Sequence, residues 1–133
     1  MASHTGQSPL QRHPMWRAAA VFAFLTGALM LAVWIWRWTS GVLAADTALS
    51  PYSAWTQAIA EIATAIALLI AGYGLITGAS WIRRFYLVAT GMLLFAGVIG
   101  LGQHADRGEP IVVFIYLFFG AVAVFFALRV EED

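Results

Sequence analysis

The sequence predicts an all-α protein: a four-helix transmembrane bundle, antiparallel in up-down-up-down order, with both termini in the cytoplasm. Of its 133 residues, 62% are hydrophobic and only 11% are charged, a balance outside the range of soluble domains. The charges fall in short segments between apolar stretches of about twenty residues, the length that crosses a bilayer core. The chain therefore has the composition of a multi-pass membrane protein.

Four helices make up the predicted transmembrane domain, residues 15–129. Ser50 and Pro51 suit the N-cap and first position of the second helix, and Pro110 opens the fourth. Proline is tolerated at a first helical position because its missing N–H has no intrahelical partner there. We assign the helices to about 15–38, 51–78, 81–103 and 110–129.

Polar segments flank this domain. Residues 1–14 have the composition of a disordered cytoplasmic tail, and residues 130–133 form an acidic C-terminal tail. His4 and His13 belong to the first tail and are not expected to act as ligands.

The arginines set the predicted orientation, because cytoplasmic loops carry an excess of cations. The larger group is expected on the cytoplasmic side: Arg12, Arg17, Arg83, Arg84 and Arg129. Arg37 and Arg107 fall on the opposite side. Tryptophan and tyrosine agree with this topology as interfacial belts, with Trp16, Trp81 and Tyr86 inside and Trp34, Trp36, Trp38, Tyr52 and Trp55 outside. We place the protein in the inner (plasma) membrane.

A cleaved signal peptide is the alternative interpretation of the first span. Val42, Leu43 and Ala44 supply small residues where a peptidase would cut. However, the apolar run is longer than the usual h-region, and Arg37 interrupts it before the cut. Cleavage would leave three helices.

Small residues mark the predicted helix contacts, because they let helix backbones approach closely in a membrane. The second span has the strongest pattern, with Ala63, Ala67, Ala71, Gly74 and Gly78 at intervals of three or four residues.

The first and third spans each contain a Thr-Gly pair with similar following residues, at Gly27 and Gly91. Two parallel hairpin repeats would explain the similarity, and so would a chance match between apolar helices. Either origin leaves both glycines as candidate contact residues.

Glu61 is the only charged side chain inside the four apolar stretches, and an intramembrane carboxylate is a functional-site candidate by default. It lies ten residues beyond Pro51, about 15 Å along the helix. Gln57, Thr64, Leu68 and Gly72 share its helical face.

Side chains lean toward the N-terminus of their own helix, so Arg37 and His104 are expected to point toward Glu61 from neighbouring helices. Tyr116 reaches a comparable depth on the fourth helix. The hypothesis is an intramembrane polar cluster of Arg37, Gln57, Glu61, His104 and Tyr116.

Two chemical roles are open to this cluster. A nearby Arg37 or protonated His104 would keep Glu61 ionised, whereas isolation in an apolar site would favour its neutral form. The neutral form suits a carboxyl that carries protons. The other role is a buried clamp that fixes helix register.

No catalytic residue, metal site or cofactor is predicted. His104, Asp106 and Glu109 lie close together in the sequence, but their spacing is not that of a metal motif and no cysteine accompanies them. The chain has no nucleotide-binding or hydrolase motif, and its balanced charge gives no indication of a nucleic-acid partner. The expectation is a protein that is not an enzyme.

The segment from Trp55 to Glu109 resembles small four-helix bacterial integral membrane proteins of unknown function. The resemblance rests on the turn Gly78 to Arg84, the segment Thr90 to Leu94 and the loop Arg107 to Glu109. It implies a bacterial inner-membrane protein and no particular activity.

Two functions follow from the sequence. The first is a structural or accessory subunit that lies in the lipid bilayer and associates through small-residue helix faces with itself or with a larger membrane complex. The alternative is an oligomeric small transporter or channel subunit that uses Glu61 as an intramembrane proton or cation site.

Overall fold

The computed structural model describes residues 14–132, with side chains from 15 to 130, and all of the regular structure in this part of the chain is helical. The helices are α1 (Pro14–Thr39), α2 (Val42–Leu49), α3 (Pro51–Thr77), α4 (Ile82–Asp106) and α5 (Pro110–Glu132). Most of the tail predicted for residues 1–14, including Arg12, His4 and His13, lies outside the described residues. Helix α5 continues through Glu132, into the segment expected to be an acidic tail.

Four of these helices are long and apolar enough to cross a membrane: Met15–Thr39, Pro51–Thr77, Ile82–Asp106 and Pro110–Val130. They correspond to the four predicted spans. Their length and composition indicate a membrane protein.

Helix α2 is a fifth helix that the sequence analysis does not predict. Gly41 precedes it with a left-handed backbone (φ 83°), and Ser50 follows it. Its eight residues are too few for a spanning helix, and none is buried. The connection between the first two long helices is therefore ordered, and it carries one acidic residue, Asp46.

The ends of α3 follow from local sequence. Ser50 occupies the N-cap position and Pro51 the first turn, but the Ser50 side chain makes no capping hydrogen bond. Gly78 ends the helix with φ 65°, and its N–H donates to the carbonyl of Gly74. A left-handed residue at this position is most easily supplied by glycine.

The long helices pack in the order of the chain, α1 on α3, α3 on α4 and α4 on α5, and a less extensive α1–α5 contact completes the ring. The buried core occupies one half of the bundle, the half that contains the α3–α4 turn. Small side chains form much of it, including Ala19, Ala23, Ala71, Ala89, Ala123 and Ala127. Close approach of helix backbones through small residues stabilises this half.

Several predicted contact residues lie where helices meet. A Cβ atom on Gly27 would lie 2.9 Å from the carbonyl oxygen of Ala65, so α1 and α3 approach through this glycine. Ala67 and Ala71 are buried. A Cβ on Gly74 would lie 2.6 Å from Ile82, at the start of α4.

Three other predicted contact residues do not pack between helices. Ala63 and Gly91 are exposed, and a Cβ on Gly91 would have no neighbour within 4 Å. Gly78 ends α3. Four-residue steps advance 40° beyond a full helical turn, so the spacing that buries Ala67 and Ala71 turns Ala63 to the surface.

The residues predicted for the aromatic belts differ in their exposure. Trp36, Trp38, Tyr52, Trp55 and Trp81 are exposed, but Trp16, Trp34 and Tyr86 are 7%, 5% and 1% exposed. These three rings pack inside the bundle. Trp34 has a specific partner there, described next.

Candidate functional site

Glu61 is buried, and three neutral donors from three helices bind its carboxylate. The indole Nε1–H of Trp34, on α1, donates to Oε2 at 2.6 Å. On the other oxygen, Oε1 accepts from Gln57 Nε2 of α3 at 3.2 Å and from the Tyr116 hydroxyl of α5 at 3.3 Å. Glu61 therefore connects α1, α3 and α5 through side-chain hydrogen bonds.

Helix geometry accounts for two of these contacts. Gln57 precedes Glu61 by four residues, so both lie on one face of α3, and the face continues through Thr64, Leu68 and Gly72, all buried. Tyr116 reaches the carboxylate across α4, where Gly100 leaves room for its ring. A Cβ on Gly100 would lie 2.8 Å from the Tyr116 hydroxyl.

Arg37 does not bind Glu61 in this structure. Its Nη2 lies 2.6 Å from Oδ2 of Asp46 on α2, and its guanidinium stacks 4.6 Å from the centre of the Trp34 ring. Asp46 also lies 3.9 Å from Arg107. The expected Arg37–Glu61 pair is replaced because α2 brings a carboxylate closer to the arginine.

His104 likewise has another partner. Its Nδ1 lies 2.9 Å from Oε2 of Glu109, five residues further along the chain. Its ring packs against Tyr116, with 5.5 Å between ring centres. His104 therefore adjoins the carboxylate site through Tyr116 and not through a bond to Glu61.

Of the five residues in the predicted cluster, Gln57 and Tyr116 bind Glu61 directly. Arg37 and His104 lie nearby, but each is paired with another carboxylate, Asp46 and Glu109 respectively. Trp34 is a member that the sequence analysis misses, because its place near the end of an apolar span is typical of an interfacial tryptophan. A signal was available: Trp34 precedes Arg37 by three residues and so shares the helical face that Arg37 presents to the bundle.

Three hydrogen bonds suit an ionised carboxylate, which accepts and does not donate. Among the described side chains, no arginine or histidine lies within 4.0 Å of Glu61. Donors that are all neutral satisfy the carboxylate oxygens without adding a second buried charge. The arrangement can hold three helices at fixed separation, and both carboxylate oxygens already accept at least one hydrogen bond.

A cavity of about 480 Å³ adjoins this site, between α1, α4 and α5. Much of its wall is apolar, formed by Leu29, Met30, Val33, Leu93, Ile115 and Phe119. Glu61 and Tyr116 line it part of the way along, and Arg37 and His104 line it near the α4–α5 connection. Its size is in the range of small-molecule sites.

No group of three or more histidine, aspartate or glutamate side chains between residues 15 and 130 is arranged to hold a metal ion. His104 and Glu109 form a pair, but Asp106 does not complete a three-ligand set with them.

The comparisons with known proteins give one match. The family described as a domain of unknown function, DUF8058, matches residues 14–132, so the chain belongs to that family. No curated protein and no solved structure matches the sequence.

Proposed function

We propose that this DUF8058 member is a multi-pass protein of a bacterial inner membrane that acts as a non-enzymatic structural or accessory subunit. The observation that carries this proposal is the Glu61 carboxylate, whose two oxygens accept from three helices. These hydrogen bonds join α1, α3 and α5, so the role that we assign to Glu61 is to fix the positions of these helices. The exposed faces of the long helices are then available for lipid and for partner helices.

In the proposed topology the long helices alternate in direction. Gly27 of α1 lies against Ala65 of α3, whereas Trp34, further along α1, meets the earlier residue Glu61. Moving forward along α1 thus means moving backward along α3, which supports opposite directions. The arginine distribution supports cytoplasmic termini.

Single cysteines test this topology cleanly, because the natural sequence has none. Ser80 and Ser40 are exposed residues in the connections at opposite ends of the bundle. We expect an impermeant maleimide added to intact cells to label Ser40→Cys, and to label Ser80→Cys only after permeabilisation. The reverse pattern would overturn the orientation.

Association tests the accessory role. The tagged full-length chain, extracted from its native membrane in mild detergent, is expected to migrate as a homo-oligomer or with a stoichiometric partner. Crosslinking in the membrane before extraction guards against dissociation by detergent. A monodisperse monomer under both conditions would contradict the proposal.

A second candidate, an oligomeric transporter or channel subunit, is favoured by one observation: Glu61 lines the cavity. A proton or cation pathway through this carboxyl requires that Glu61→Gln abolish flux in proteoliposomes. Gln57→Leu, which removes a donor to Glu61 but keeps the carboxyl, is the matched control. Equal flux in wild type and Glu61→Gln would exclude Glu61 from any transport mechanism.

A further inference from the structure

We propose that the cavity between α1, α4 and α5 holds one acyl chain of a membrane phospholipid whose head group contains a phosphate and a primary ammonium. Phosphatidylethanolamine is the simplest lipid of this class. The phosphate lies near Arg107 and the ammonium near Glu109, two residues of the cavity wall. Such a site is compatible with the accessory role proposed above and does not depend on it.

The cavity opens sideways, between α1 and α5. Leu29 of α1 and Ile115 of α5 both line it, and both are about half exposed. In a membrane this opening faces the hydrocarbon of the bilayer, and much of the wall behind it is apolar. A chain of a neighbouring lipid can therefore enter without leaving an apolar environment, which favours a lipid over a water-soluble ligand.

The dimensions of the cavity suit a single acyl chain. Its lining on α1 extends from Thr26 to Arg37, eleven residues or about 16 Å along the axis. The hydrocarbon of one leaflet is about 15 Å thick, half of the bilayer core, so a lipid chain extends over this depth. The volume of about 480 Å³ is that of a small-molecule site. The second chain of the lipid then stays in the bilayer.

Three titratable groups in the cavity wall are already engaged. The Arg37 side chain is largely buried and binds Asp46. Glu61 is buried, and its two oxygens accept three hydrogen bonds. The His104 side chain is largely buried and bonds one oxygen of Glu109. These groups shape the wall, but they offer little accessible charge to a head group.

Arg107 and Glu109 present accessible charges of opposite sign at the end of the cavity near the α4–α5 connection. Their side chains are 48% and 41% exposed, and they are not joined in any ion pair between described residues. Arg107 lies 3.9 Å from Asp46, whose other oxygen already binds Arg37 at 2.6 Å. Glu109 uses Oε2 for His104, so its Oε1 remains as an acceptor.

This pair of charges selects the head group. A guanidinium binds phosphate through parallel N–H donors, and a carboxylate accepts from an ammonium, which has three donors. Phosphoethanolamine carries both partners, separated by an ethylene group. A choline head has the same net charge but no N–H for Glu109, and a glycerol head brings no cation at all. The carboxylates of the cavity thus favour a zwitterionic head over an anionic one.

Native mass spectrometry of the full-length protein in mild detergent tests the assignment. The protein is titrated with phosphatidylethanolamine, phosphatidylcholine and phosphatidylglycerol that have identical acyl chains. We expect phosphatidylethanolamine to bind about twofold to tenfold more tightly than phosphatidylcholine, the value of one hydrogen bond. Phosphatidylglycerol is also expected to bind more weakly than phosphatidylethanolamine.

A pair of glycine variants on α4 tests whether the chain lies in the cavity. Gly97 lines the cavity, and a Cβ there would have Tyr116 as its nearest neighbour, at 3.9 Å. Gly97→Leu therefore fills the cavity and is expected to abolish saturable binding of all three lipids. Gly102→Leu is the matched control, because Gly102 is outside the lining and a Cβ there meets nothing within 4 Å. It should keep wild-type binding.

Variants of the charged residues test the contacts of the head group. Glu109→Ala is expected to equalise the affinities for phosphatidylethanolamine and phosphatidylcholine while both still bind. Asp106→Ala, at an exposed acid outside the cavity lining, should keep the preference. Arg107→Ala should weaken all three lipids, since each carries a phosphate.

The wild-type measurements decide the proposal even if a variant does not fold. Absence of saturable phosphatidylethanolamine binding would overturn it, and so would equal or tighter binding of phosphatidylcholine or phosphatidylglycerol. Unchanged binding to a folded Gly97→Leu protein would place the lipid outside the cavity. A dimer that excludes lipid would assign the opening to a second copy of the chain.

Discussion

Trp34 and Glu61, 27 positions apart in the sequence, are joined at 2.6 Å by a hydrogen bond from the indole N–H to the carboxylate inside the bundle. An indole N–H can only donate, so this tryptophan needs an acceptor wherever it is buried. Gln57 and Tyr116 occupy the other oxygen of the same carboxylate. The buried carboxyl group is thus matched to three donors that would otherwise lack a partner.

Removal of this acceptor is expected to destabilise the fold. Glu61→Leu leaves the donors of Trp34, Gln57 and Tyr116 unpaired, and at about 0.6–1.7 kcal/mol per membrane hydrogen bond the loss is roughly 2–5 kcal/mol. Titration of the micellar protein with a denaturing detergent measures it.

Glu61→Gln is the matched control for that loss. Its amide oxygen can accept from Trp34, and its NH₂ can donate to Tyr116 and to a reoriented Gln57 amide. We expect its stability to stay within about 1 kcal/mol of wild type. If Gln destabilises as much as Leu, the negative charge matters more than the hydrogen bonds.

Gly100 is expected to control the position of Tyr116. In Gly100→Ala the new Cβ would lie 2.8 Å from both the hydroxyl oxygen and the ring carbon Cζ of Tyr116, so the ring must move away from α4. Overpacking of this kind costs about 1–3 kcal/mol, and the bond to Glu61 should weaken. Ultraviolet absorbance of the tyrosines, together with detergent unfolding, reports both effects.

Gly102→Ala controls for helix propensity in the same helix. A Cβ there meets nothing within 4 Å, and alanine is favoured over glycine in a helix by roughly 0.5–1 kcal/mol. The two substitutions should therefore change stability in opposite directions. Equal effects would show that Tyr116 is not held by contact with Gly100.

The two Thr-Gly pairs are expected to differ in their response to alanine. In Gly27→Ala the Cβ would lie 2.9 Å from the backbone oxygen of Ala65, and a helix backbone cannot move aside as a side chain can. A loss of about 1–3 kcal/mol is expected. Gly91→Ala should be neutral or stabilising in the same unfolding assay, and a large loss there would indicate a contact outside the monomer.

Asp46 is expected to hold α2 in place. Asp46→Ala removes the carboxylate that binds Arg37 and approaches Arg107, and hydrogen bonds to charged groups contribute about 1.5–3 kcal/mol. Amides in Val42–Leu49 should exchange faster with deuterium. Asp106→Ala, at an exposed acidic residue near the end of α4, should leave the exchange of α2 unchanged if the effect is specific.

The long helices follow from the sequence because each depends on local information: an apolar stretch of membrane length, Pro51 at a start and Gly78 at an end. The face through Gln57, Glu61 and Thr64 also follows, from helical periodicity alone. Helix α2 does not, since eight residues are too few to give a clear periodic signal.

The partners of Glu61 could not be predicted from the sequence, because other carboxylates compete with Glu61 for Arg37 and His104. Sequence spacing shows that Arg37 and His104 lean in the right direction, but Asp46 and Glu109 are nearby acids that reach them first. Which carboxylate a cation meets is decided by the path of the α1–α3 connection and of the α4–α5 turn. Neither path is encoded in the periodicity of the spans.

Helices α1 and α5 have a limited contact, and they are packed more closely in the half of the bundle that contains the core than in the half that contains the cavity. On the core side, Phe22 packs against Phe126 and Phe119, with ring centres 5.4 and 6.1 Å apart. Further along the same seam the helices diverge around the cavity. The aromatic group therefore closes the α1–α5 seam at the core end, and the cavity occupies the seam toward Arg37.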